Sequence, residues 1–91
     1  MSPDLPSVLQ LRVITTHNLL VETEADEVTI PSLEGYLGIL PGHRPLFTAL
    51  GRGTLSYRVG KKGEKLSIRG GYAEILPEKV IVFTELSDEE D

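Results

Sequence analysis

The chain has 91 residues and no cysteine, and its 9 Lys plus Arg against 14 Asp plus Glu give a formal net charge of −5. That length holds one domain with a thin core, and the lack of cysteine excludes disulfides and thiolate metal sites. Four of the negatives close the chain as Asp88–Asp91, so the body is nearly neutral and lacks the concentrated positive charge of a phosphate-backbone binder.

In chain order, Leu9, Leu11 and Val13 alternate with Gln10 and Arg12, the period of a half-buried strand. Residues 16–18, Thr-His-Asn, read as a turn. Val21, Thr23 and Ala25 then share one face, but Val28 and Ile30 follow on the other parity. The switch at Asp26–Glu27 predicts a β-bulge or a strand break. Residues 34–46 concentrate glycine and proline, and PLFTAL (45–50) is a short apolar run closed by GRG. Leu55, Tyr57 and Val59 pair in pattern with Leu66 and Ile68. They predict a hairpin with a four-residue loop, Gly60–Gly63, whose end glycines take positive φ. YAEIL and VIVF flank a Pro-Glu-Lys turn at 77–79. VIVF is apolar on both parities, which predicts a strand covered on both faces. The fold class is all-β: a flattened β-sandwich or barrel of about 8–10 short strands over residues 1–86, with 87–91 as a disordered acidic tail. No apolar run reaches the length of a membrane span, and the start lacks the pattern of a secretory signal or transit peptide.

Chemistry is sparse. The nucleophile candidates are Ser and Thr, the bases are His17 and His43, and GxSxG is absent. Neither histidine has an HxH or HxxxH companion, and Glu22, Glu24 and Asp26 read as the wet side of a strand. No GxxxxGK[ST] is present. We therefore assign no catalytic, metal or cofactor residue, although a small hydrolase or metal enzyme around His43 stands as a rival. Another rival function is a small nucleic-acid-binding β-barrel using Arg52, Arg58, Lys61, Lys62, Lys65 and Arg69. The scarcity of aromatic residues for base stacking and the net charge weigh against it.

Within residues 34–46, Pro41 and Gly42 fit the two central positions of a type II turn. Gly35 and Gly38 bracket Tyr36 and Leu37, leaving backbone open to close approach by another chain. Leu37, Ile39 and Leu40 include both parities, so at least one of them faces outward. The plainer alternative is a rigid connector, with His43 hydrogen-bonded to the turn.

Two stretches, VETEADEVTIPSLEGYLGILPGHRPLFTALGRGTL (21–55) and IRGGYAEILPEKVIVFTE (68–85), carry a resemblance. They look like the N-terminal β-sandwich domain of epsilon subunits of F-type ATP synthases, and the likeness runs from about Leu9 to Glu85. Its specific elements are GxxGILPGHxPL and the later GG-aromatic-x-E. The resemblance implies a non-catalytic rotor subunit of a hetero-oligomeric complex. Such a subunit packs on gamma and stands on the c-ring, with no cofactor, nucleic acid or membrane insertion. Its place is the cytoplasmic face of the bacterial inner membrane. By the same analogy Glu34, Gly35, Tyr36, Leu37, Gly38, Pro41 and Gly42 face the c-ring. His43, Arg44, Pro45, Gly70, Gly71, Tyr72 and Glu74 lie toward gamma. Where Tyr36 stands the family often has an acid, so no ion pair is implied there. The family's C-terminal helical pair lies outside these residues, and its inhibition and ATP sensing are not implied for them.

Overall fold

A computed structural model describes residues 6–87. They form nine strands: β1 Leu9–Ile14, β2 Leu19–Ala25, β3 Glu27–Ser32, β4 Gly35–Ile39, β5 Leu46–Ala49, β6 Arg52–Val59, β7 Lys62–Arg69, β8 Tyr72–Leu76 and β9 Lys79–Phe83. Among the described residues no helix is long and apolar enough to cross a membrane. The strands build two stacked sheets. Sheet A has the order β2-β1-β9-β8-β5, and sheet B the order β4-β3-β6-β7.

Period-two alternation places the core. Leu9, Leu11 and Val13 of β1 face Val80 and Val82 of β9, with Ala73 and Ile75 of β8 beside them. Sheet B answers with Val28, Ile30, Ile39, Leu55 and Ile68. Each of these aliphatic side chains is fully buried, a gain of roughly 1.5–3 kcal/mol for each Val, Leu and Ile before ordering costs. The parity switch at Asp26 is a strand break: β2 ends at Ala25 in sheet A and β3 begins at Glu27 in sheet B. Asp26 closes this corner. Its amide donates to the Arg58 carbonyl (2.8 Å) and its carboxylate accepts the Gly60 amide (2.7 Å).

Three expectations change. The β6–β7 hairpin has a two-residue loop, because Val59 pairs with Lys62. Gly60 alone takes positive φ, at 62°, while Lys61 and Gly63 do not, which is the φ pattern of a type II′ turn. Similarly, Lys79 belongs to β9, and the β8–β9 turn is Pro77–Glu78. VIVF is not covered on both faces. It runs through the centre of sheet A, where Val80 and Val82 point inward and Phe83 stays exposed on the outside. The sequence pattern misleads because a central strand can carry apolar residues outward where the sheet's outer face is itself apolar. Of the expected tail 87–91, only Ser87 is described; its amide donates to Ser67, and the remainder lies outside the described residues.

Candidate docking surfaces

Strand direction gives the sandwich two ends. The Gly70–Gly71 end gathers Thr15–Asn18, Leu33–Glu34 and Leu50–Gly51; Leu50 donates to Gly71 (2.9 Å) and Gly70 donates to Gly51 (3.1 Å). The Pro77 end gathers Pro41–Gly42 and Asp26, and there the Gly42 amide donates to the Pro77 carbonyl (2.8 Å).

Residues 34–42 are therefore not one loop. Gly35–Ile39 is an edge strand paired to β3, and its two flanking turns lie at opposite ends. Five strand residues span about 16 Å. Glu34, Gly35 and Tyr36 sit near one end and Pro41 and Gly42 at the other, with Leu37 and Gly38 between. Leu37 packs against the core, whereas Leu40 is exposed, the outward apolar residue the mixed parity anticipates. The Pro41–Gly42 turn has the expected form: Gly42 has φ 91° and the His43 amide donates to Leu40 (3.2 Å).

His43 follows that turn, and its Nδ1 donates to the Arg44 carbonyl (2.7 Å) rather than to the turn itself. Arg44 and Pro45 are exposed beside it. His17 occupies the Thr15–Asn18 turn at the opposite end of sheet A, so the two imidazoles cannot converge. A shallow depression of about 530 Å³ on sheet B is lined by Thr29, Ser56, Arg58, Glu64 and Lys65, with neither histidine. Glu22 pairs with Arg12 (3.2 Å) and Glu24 accepts from Gln10 (3.3 Å). Among the described residues no three carboxylate or imidazole groups are placed to hold a metal.

Exposed apolar area lies outside sheet A. On adjacent strands Phe47 and Tyr72 stack, with ring centroids 5.6 Å apart and planes 12° from parallel. Tyr72 is directly opposite Phe83, which is opposite Ile14 in turn. Phe47 is 65% exposed, Tyr72 53% and Phe83 45%. Beside them Ile14, Gly70, Gly71, Tyr72, Phe83 and Thr84 line a mostly apolar depression of about 300 Å³. Glu74 borders this patch as the cross-strand partner of Phe47. Tyr72, Glu74 and the Gly70–Gly71 turn thus share one surface, while His43–Pro45 sit at its far end, leading into β5. Phe47, Phe83 and Ile14 escaped the sequence reading. The signal was parity: in each strand they alternate with the inward residues.

The basic residues do not assemble a phosphate track. Arg58 is engaged by Glu27 (3.4 Å) and Asp26 (3.8 Å), and Glu64 interrupts Lys61, Lys62 and Lys65. The stacked aromatics belong to the other sheet.

The molecule is a small two-sheet β-sandwich with a contiguous exposed aromatic patch on the outside of sheet A, the kind of surface that marks interaction sites. The chain belongs to the family of ATP synthase delta/epsilon-chain β-sandwich domains, whose model matches residues 8–87. It is 42% identical over 84 residues to the ATP synthase epsilon chain of Solibacter usitatus, covering 92% of this chain and 63% of that one. Against the ATP synthase epsilon chain of Koribacter versatilis identity is 39% over 79 residues, covering 87% and 56%. The chain therefore spans less than two thirds of the length of these curated relatives. Among solved structures it resembles a chain of the Euglena gracilis mitochondrial ATP synthase, in an OSCP/F1/c-ring structure. There the TM-score is 0.84 at 25% identity, over 92% of this chain and 54% of that chain. A chain in the central stalk/c-ring structure of the Tetrahymena thermophila mitochondrial ATP synthase shares the fold. Its TM-score is 0.72 at 12% identity, over 89% of this chain and 66% of the other.

Proposed function

We propose that this chain acts as the sandwich of a central-stalk rotor subunit of an F-type ATP synthase, joining the gamma subunit to the c-ring without an active site of its own. It works in a hetero-oligomeric complex at the cytoplasmic face of a bacterial inner membrane. Family membership and the likeness to chains in c-ring-containing structures support this role. The single observation that carries it on this molecule is the solvent-facing Phe47–Tyr72–Phe83 patch, which stays largely exposed among the described residues.

In this reading gamma covers the patch, with Gly70, Gly71, Tyr72 and Glu74 inside the contact and His43, Arg44 and Pro45 at its edge. The c-ring meets the Gly70–Gly71 end, where Leu33 is 70% exposed beside Glu34 and Gly35. Leu37, Gly38, Pro41 and Gly42 then support that contact through β4 rather than touching it.

The test is co-elution with the cognate gamma subunit. An interface of ordinary size, about 1,600 Å² in total, holds at micromolar concentration. Replacing both Phe47 and Tyr72 by Asp should weaken the complex by at least roughly 30-fold, the loss expected at a buried aromatic hot spot. No complex with the native chain, or equal affinity in the double variant, refutes the reading.

A further inference from the structure

Tyr36 is 62% exposed on the edge strand of sheet B, the position of a residue free to meet a partner. Its hydroxyl is nevertheless committed. Tyr36 is opposite Pro31 on β3, and its phenol reaches past Pro31 to β6, where Oη accepts the Thr54 amide at 3.0 Å.

The backbone explains why that amide is available. The β3–β6 ladder runs only through Glu27–Thr29 and Ser56–Arg58. Beyond it the Pro31 carbonyl is taken by the Gly51 amide (2.8 Å), so β3 no longer offers Thr54 an acceptor. On the other side Ser67, opposite Thr54, points its carbonyl away toward the Ser87 amide (3.0 Å). A buried or half-buried amide without an acceptor is costly, and the phenol fills the gap. Gly53 makes room for it: a Cβ there would approach Tyr36 Oη to 2.6 Å and Pro31 Cβ to 2.9 Å.

We propose that Tyr36 is a strap, holding edge strand β4 onto β6 across β3 and so fixing the turn that presents Leu33. That turn is closed locally by Ser32, whose Oγ donates to the Gly35 carbonyl (2.6 Å) and accepts the Glu34 amide (3.2 Å). One hydroxyl thus ties three strands and positions the exposed turn at their end. The role belongs to the isolated chain, whatever docks on it.

Amide hydrogen exchange in Tyr36→Phe tests the strap, because the ring is retained and only the bond is lost. Thr54 should exchange roughly three- to tenfold faster, with a smaller increase across Gly35–Ile39. Leu11 and Val82 in sheet A should be unchanged. Gly53→Ala, which displaces the hydroxyl from the other side, should expose Thr54 in the same way. Unchanged protection of Thr54 in Tyr36→Phe overturns the proposal. So does faster exchange spread equally over both sheets, since that marks general loss of stability.

Discussion

Gly70 and Gly71 are adjacent, both have positive φ (72° and 110°), and yet Gly→Ala should behave very differently at the two positions. At Gly70 an added Cβ meets no atom within 4 Å, so the cost is backbone strain alone, about 1–2 kcal/mol. At Gly71 the same Cβ would overlap the Phe83 carbonyl oxygen and come within 2.9 Å of the Phe83 carbonyl carbon and Thr84 Cα. These are backbone atoms at the end of β9, a central strand of sheet A, and cannot swing aside as a side-chain tip would. Displacing them adds an overpacking cost of about 1–3 kcal/mol, and loosening the Leu50–Gly71 hydrogen bond adds about 1 more. Gly71→Ala should therefore cost about 3–6 kcal/mol, a large share of the roughly 5–14 kcal/mol expected for a domain of this length. Urea denaturation of the two variants, with m-values compared to establish a common two-state transition, reads the difference directly. Equal losses at Gly70 and Gly71 would mean that φ, and not the close approach of β9, governs this turn.

Asp26→Ala removes the acceptor of the Gly60 amide at the corner between the sheets, while the Asp26 amide bond to Arg58 survives. We expect a loss of about 1–2 kcal/mol in urea and faster exchange at Gly60; a change within experimental error at both would refute the clamp. Tyr57 supplies a pH dependence. Burial, and secondarily the charge of Glu64, push its phenol above the ordinary value of 10.0, so the folded chain favours the neutral form. The resulting stability is complete below the unfolded pKa and is lost as pH rises through the folded one. Tyr57→Phe should accordingly decline less than the native chain as pH rises through and above the ordinary phenol value of 10.0, and parallel stability curves would contradict the assignment.

Much of the fold was legible because the inward residues obey strand parity. Leu9, Leu11 and Val13, or Leu55 and Ile68, needed only a period of two to be placed. The break at Asp26 was legible for the same reason, since the inward parity changes where the chain changes sheets. Register was harder. Whether the hairpin loop ends at Lys61 or at Gly63 depends on which glycine takes positive φ, and Gly60–Gly63 offers two candidates. The exposed aromatic face of sheet A was only half visible. Tyr72 and Glu74 came from a motif, but Phe47 and Phe83 lie on strands remote in sequence that the sheet order brings together. Tyr36 was least legible: its hydroxyl is held by an amide left over where another strand pair ends, a tertiary accident that one-dimensional spacing does not record.

The parallel β1–β9 pair matters for how the molecule comes into being. Leu11 lies beside Val80, so the middle of sheet A is assembled from the two extremes of the described chain. A nascent polypeptide leaving the ribosome can pair β1 with β2 as a local hairpin, but the other edge of β1 stays open until β9 has emerged. Sheet B, made entirely from residues 27–69, can gather earlier. Completion of sheet A is consequently a late event with high contact order, and until β9 arrives one backbone edge of β1 is left without its ladder during synthesis.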